Sequence, residues 1–232
     1  MEAELASEAE DKRILQVARE LCQELNLENL YPERVSWQEQ YSRRGRLSQD
    51  KYGNPLGPYV TPHFPLFYHR TLMLRPIMRG RLATEDWRPL LTSSIIFYGQ
   101  LQSRVDRRSA LGFAPVLVLI TVLLLGLLLR NPIFNEFSVV FTFTGLIIAA
   151  ATAGAYGALL LSRKSMLLAD KKTSELVGPQ ALLDALRKIQ SLKQSGEQQD
   201  KMSGWAWTEF GDAPSIEQRI KTLQSILGSL PG

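Results

Sequence analysis

Hydrophobic and polar positions change their spacing several times along the chain, and each spacing predicts a different element. Ser7 to Leu27 has apolar residues three and four positions apart with charged residues between them, a pattern typical of an amphipathic helix. From Tyr31 to Pro76, proline and glycine interrupt two runs of β-forming residues, RVSWQEQY and LFYHRTLML. These two runs predict strands in a small β segment.

Beyond this segment, the spacing of apolar residues predicts further helices. One runs from about Glu85 towards Arg104, with Thr84 as its cap and Asp86 near the positive end of the helix dipole. The runs GPQALLDALRKIQSL and PSIEQRIKTLQSIL predict two more, the first of them starting at Pro179. The fold class expected from these elements is α+β, mainly α.

Two uncharged runs predict a membrane hairpin. They are ALGFAPVLVLITVLLLGLLL, residues 110–129, and SVVFTFTGLIIAAATAGAYGALLL, residues 138–161. A helix crosses a bilayer with roughly 20 apolar residues, and buried helices of soluble proteins usually carry polar residues on one side. Arginine and lysine flank the pair on both outer sides, which predicts cytoplasmic chain ends. The expectation is an integral membrane protein with two spans and the lipid bilayer as a partner.

Charge and cysteine content exclude some classes of function. The formal net charge is +4, and basic residues are interleaved with acidic ones, so no basic stripe for nucleic acid is present. The single cysteine, Cys22, cannot form an internal disulfide and rules out a multi-thiolate zinc site. Its position on the apolar face of the first helix predicts a buried thiol.

Three segments, in this order, carry a resemblance to a known family. They are RLATEDWRPLLTSSIIFYGQL, SRKSMLLADKKTSELVGPQALLDALRKIQ and APSIEQRIKTL. Together they resemble the active-site helix, the third-ligand segment and the closing helix of the HtpX and CAAX prenyl protease family of membrane-bound zinc metallopeptidases. The resemblance implies a gluzincin-like domain in two halves, residues 31–108 and 163–232. The helix of residues 1–30 precedes the first half, and the membrane hairpin, residues 109–162, separates the two.

The resemblance also implies that the zinc site is degenerate. Ser93 and Phe97 stand where the two histidines of H-E-x-x-H would be, Ser94 where the general-base glutamate would be, and Met166 where the ligand glutamate would be. Zinc in such a site needs two imidazoles one helical turn apart and a carboxylate beside them. Serine, phenylalanine and methionine do not supply these ligands. The implied protein has no catalytic residue, metal or cofactor.

Four residues of this centre carry structural expectations. Phe97 and Met166 are expected to touch and fill the space of the lost metal. Asp170 corresponds to a residue that orients a metal-binding histidine in the active relatives. Here it is expected to form a structural ion pair with Arg219 or to cap a helix. His63 and His69 lie in the β segment without a carboxylate at matching spacing, so neither is expected to bind metal.

The function predicted from these features is binding or scaffolding by an inactive peptidase relative. In the active relatives, the strand before the active-site helix receives substrate as an added β-strand, and LFYHRTLML occupies that place. Such pairing uses backbone groups and needs no zinc. The expected partner is a peptide or a segment of a membrane protein. Two alternatives stay open: an unrelated membrane-anchored structural or assembly subunit, and an active membrane zinc metallopeptidase with ligands outside the motif.

Overall fold

Helices account for most of the secondary structure. The computed structural model describes residues 2–38, 48–49, 55–56, 63–68, 70–107, 121, 136–197 and 213–229. Its long helices are α1 Glu2–Glu24, α2 Thr84–Ile96, α3 Glu136–Val177, α4 Pro179–Glu197 and α5 Ile216–Ser229. A π-helical turn, Phe97–Leu101, continues α2 into a helical stretch at residues 102–107.

The local chemistry of the sequence explains where these helices begin and end. The cap of α2 is Ala83 rather than the expected Thr84, and the Asp86 carboxylate accepts a hydrogen bond from the Ala83 N–H at 2.8 Å. Gly178, with φ at +88°, ends α3 in the left-handed conformation that glycine adopts without strain. Pro179 then starts α4, as the sequence predicts.

The β segment contains a three-stranded sheet in the order β1-β5-β4. The strands are β1 Arg34–Trp37, β2 Ser48–Gln49, β3 Pro55–Leu56, β4 Leu66–Tyr68 and β5 Thr71–Leu74. Central β5 pairs in parallel with β1 and antiparallel with β4, while β2 and β3 form a separate pair. The run LFYHRTLML was expected to form one strand, but it forms the β4–β5 hairpin. The chain reverses between Tyr68 and Thr71, which pair with each other, and Arg70 takes φ of +56°.

The prediction of a membrane hairpin was wrong. Within the described residues, no helix combines the length and the apolar character needed to cross a bilayer. Of the first expected span, residues 110–129, only Thr121 lies among the described residues. The second, residues 138–161, is part of α3, which does not end at Leu161 but continues to Val177. A long uncharged run favours a span but does not define one, because contacts with neighbouring elements also determine where a helix begins and ends. The integral-membrane localisation and the cytoplasmic orientation of the chain ends were wrong with it.

The main core lies where α1, α2, α4 and α5 meet the sheet. Its buried side chains include Ile14, Leu21, Leu72, Leu74, Trp87, Leu90, Leu91, Leu182, Leu186 and Leu223. Complete burial of each large apolar side chain contributes about 1.5–3 kcal/mol relative to exposure. Cys22 is fully buried in this cluster, as expected, and burial raises the pKa of its thiol to about 11. The thiol is therefore protonated at neutral pH and behaves as a small apolar core residue.

Candidate functional site

A fully buried polar network joins α2, α3 and α5. The Ser93 hydroxyl donates to Asp170 Oδ1 at 2.6 Å, and Arg219 Nε donates to Asp170 Oδ2 at 2.7 Å. Arg219 Nη2 also lies 2.5 Å from Asp170 Oδ1 and 3.2 Å from Ser93 Oγ. All three residues are 0% exposed. The expected Asp170–Arg219 ion pair is therefore confirmed, and Ser93 is part of it.

The same guanidinium holds the segment that leads into β4. Arg219 Nη1 donates to the carbonyl oxygen of His63, and the guanidinium carbon lies 5.2 Å from the centre of the Phe64 ring. The His63 Nε2 donates to the Pro214 carbonyl oxygen at 3.0 Å, since a carbonyl can only accept. Three helices and the start of the β4–β5 hairpin are thus fixed around one buried cation.

An arginine suits this place better than a lysine would. Its planar fork presents several N–H donors at fixed angles, and here they reach a carboxylate, a hydroxyl and a backbone carbonyl. A buried ion pair is tolerated only when such additional hydrogen bonds satisfy both charges. The network meets this condition on the Asp170 side as well, because both carboxylate oxygens accept hydrogen bonds.

Phe97 and Met166 belong to one buried apolar cluster beside this network. Its members are Phe64, Ile96, Phe97, Leu101, Met166 and Ala169. The Phe97 ring meets the Phe64 ring edge to face, with 5.4 Å between centroids. The structure thus brings Phe97 of the π-helical turn and Met166 of α3, which were expected to touch, into the same buried cluster.

Ser94 is buried but takes no part in the network. It is 0% exposed, and its hydroxyl oxygen has no hydrogen-bond partner among the described residues. The family resemblance predicts that Ser94 replaces a general-base glutamate, and an alcohol cannot remove a proton from water at neutral pH. Within the described ranges, no group of three or more histidine, cysteine, aspartate or glutamate side chains could hold a metal ion. His69 lies outside the described residues, and His63 is 8% exposed.

The sequence did not predict two backbone groups of the site or the π-helical turn beside it. The two groups are the carbonyls of His63 and Pro214, and no side-chain pattern reveals a backbone contact. The π-helical turn was also missed, although Gly99 within a helical pattern is a signal of unusual geometry. At Gly99 a Cβ atom would lie 2.4 Å from a Leu27 methyl carbon, so the turn packs tightly on the residues after α1.

β4 is an edge strand, and its hydrogen-bonding direction follows from the neighbouring pairs. The Glu33 N–H donates to the Arg70 carbonyl at 2.7 Å, and the Gln38 N–H donates to the Leu74 carbonyl at 2.8 Å. The backbone N–H and C=O groups of successive strand residues point to opposite sides, so those of Leu72 point towards β1. Those of Thr71 and Met73 point towards β4 and pair with it. Because Leu72 is opposite Phe67, the N–H and C=O of Phe67 point away from β5. No described strand lies on that side of β4.

Comparison of the chain with protein-family models, curated proteins and solved structures finds no match. The relationship to the HtpX and CAAX prenyl protease family stays a prediction.

Proposed function

We propose that this protein is a catalytically inactive relative of zinc metallopeptidases that holds an extended peptide segment along the outer edge of β4. The observation that carries the proposal is the direction of the Phe67 N–H and C=O, which point away from β5 at the edge of the sheet. An incoming strand can exchange two backbone hydrogen bonds with a single residue of this kind. Binding by this route requires no metal ion.

The buried centre supports the absence of catalysis. Its first ligand position carries Ser93, whose hydroxyl is already bonded to Asp170, and its second carries the Phe97 ring. The Arg219 guanidinium supplies the positive charge that balances Asp170. A zinc ion here would lie beside the positive charge of Arg219, and the described residues around it offer no thiolate, no free carboxylate and no imidazole without a hydrogen-bond partner. The network of Ser93, Asp170 and Arg219 therefore has a structural role, which is to join α2, α3 and α5.

This network also supports the binding role, because it positions the edge strand β4. Arg219 bonds to the His63 carbonyl and stacks against Phe64, and β4 begins at Leu66. The strand has only three residues, and so short a strand opens easily unless its ends are held in place. A fixed approach to β4 lowers the entropy that is lost when a peptide pairs with it.

Peptide binding at the edge is expected to depend on the Phe67 N–H. The probe is the blocked peptide acetyl-Ser-Thr-Ser-Leu-Ser-Thr-amide, titrated into the full chain labelled with ¹⁵N. We expect a saturable shift of the Phe67 amide signal. Phe67→Pro removes the N–H that points outward without removing a bond to β5, and should abolish binding.

Phe67→Leu is the matched control, since it changes the same side chain but keeps the N–H. This variant should bind the peptide with an affinity within about threefold of the unmodified chain, because the backbone bonds are retained. The proposal fails if the peptide leaves the Phe67 amide unchanged at saturating concentration. It also fails if the proline and leucine variants bind the peptide equally well.

A further inference from the structure

Tyr98 differs in exposure from the rings that it contacts. Its centroid lies 5.0 Å from that of Phe97, 6.0 Å from that of Phe64 and 6.2 Å from that of Phe67. These three phenylalanines are 8% exposed or less, whereas Tyr98 is half-buried. Tyr98 is therefore the partly exposed member of this group of rings, and it is in contact with Phe67 of β4.

The π-helical turn accounts for this placement. The turn begins at Phe97, and both Phe97 and Tyr98 contact the Phe64 ring, although consecutive residues of a helix diverge by about 100°. α2 packs against β4, so the turn brings Tyr98 over the edge strand. Insertions of this kind in α-helices are frequent at functional sites.

The side chain of a paired peptide would meet this ring. Phe67 directs its side chain into the core on the helix-packed face, where Tyr98 contacts it. A peptide residue directly opposite Phe67 has its Cα about 5.5 Å from that of Phe67 and its side chain on the same face of the sheet. Of these two rings, Tyr98 is the partly exposed one, so it is the ring that such a side chain would contact.

We infer that Tyr98 is a specificity-determining residue, which selects extended segments with a large apolar side chain opposite Phe67. This inference rests on the proposed binding of a peptide at the edge of β4. A leucine or phenylalanine at that position buries apolar surface against the Tyr98 ring. An aspartate there loses hydration without gaining a partner among Phe64, Phe67 and Phe97.

A guest series tests the selection. The probes are acetyl-Ser-Thr-Ser-X-Ser-Thr-amide peptides with X as leucine, phenylalanine, serine or aspartate, titrated into the full chain with the Phe67 amide as the readout. We expect leucine and phenylalanine to bind about tenfold more tightly than serine, and aspartate to bind more weakly still. Tyr98→Ser should reduce the preference for leucine over serine to below about threefold, whereas Tyr98→Phe should keep it.

The outcomes separate this inference from the proposed function. If none of the peptides shifts the Phe67 amide, the edge does not bind peptides and both ideas fall. If all four shift it with equal affinity, the edge binds peptides but Tyr98 does not select them, and only the inference is overturned. Nuclear Overhauser contacts between the guest side chain and the Tyr98 ring of the unmodified chain give a second test that does not depend on folding of a variant. Contacts support the inference, and their absence with leucine or phenylalanine bound overturns it.

Discussion

Replacing Asp170 with alanine is expected to lower the free energy of unfolding by about 3–5 kcal/mol, because it leaves the Arg219 guanidinium buried without a countercharge. Both side chains of the pair are 0% exposed, so water cannot take the place of the lost carboxylate. The loss should appear in urea denaturation of the full chain followed by circular dichroism. A second variant, Asp170→Leu with Arg219→Met, removes both charges and should recover much of the stability.

A surface ion pair provides the matched control. Arg70 and Glu33 approach to 2.7 Å, as closely as a strong pair does, but their side chains are 66% and 60% exposed. Glu33→Ala should therefore cost less than about 1 kcal/mol. If Asp170→Ala costs no more than Glu33→Ala, the buried network does not hold the helices together.

Phe97→Ala is expected to lower the free energy of unfolding by about 3–5 kcal/mol, as for other buried aromatic side chains. The ring is 4% exposed and contacts the rings of Phe64 and Tyr98, so its removal leaves a cavity in the buried cluster that also contains Met166. Phe97→Leu keeps most of the volume and should cost less than about 1.5 kcal/mol. Urea denaturation of both variants measures the difference.

A double-mutant cycle of Phe97→Ala with Met166→Ala tests whether these two side chains stabilise each other. Side chains in contact usually show an interaction energy of about 0.5–3 kcal/mol, whereas distant ones are additive. We expect a measurable interaction energy between Phe97 and Met166, since both lie in one cluster. Strict additivity would contradict the sequence-based expectation that they touch.

Local patterns were sufficient to predict several elements. Helices α1, α4 and α5 were predicted from the spacing of their apolar residues, and the start of α4 from Pro179. Both signals depend only on residues that are close in the sequence. The burial of Cys22 follows from its position on the apolar face of α1. The Asp170–Arg219 pair was predicted from the alignment of two motifs, and the structure contains it.

Other features depend on contacts that local patterns do not encode. The pairing of Tyr68 with Thr71 divides one run of β-forming residues into β4 and β5. The parallel pairing of β1 with β5 joins strands that are distant in sequence. The uncharged residues 138–161 predicted a membrane span, whereas the structure has them in the first part of a helix that continues to Val177. The hydropathy of that run describes its composition but does not locate the ends of the helix.

The part of the centre that could not be predicted is its backbone chemistry. The Arg219 side chain was expected to meet Asp170, but its bond to the His63 carbonyl and its stacking on Phe64 depend on the path of the chain before β4. The free edge of Phe67 likewise follows from the order of strands and from their register. These are the features on which the proposed binding rests.

The metal content of the purified full chain decides whether a buried ion pair has replaced a zinc site. Elemental analysis by mass spectrometry, after dialysis against buffer containing zinc, should find far less than one zinc ion per chain. Any peptidase activity in the sample should be insensitive to chelators. One zinc ion per chain, lost when His63 is replaced by alanine or when Ser93 is replaced by alanine, would contradict the account.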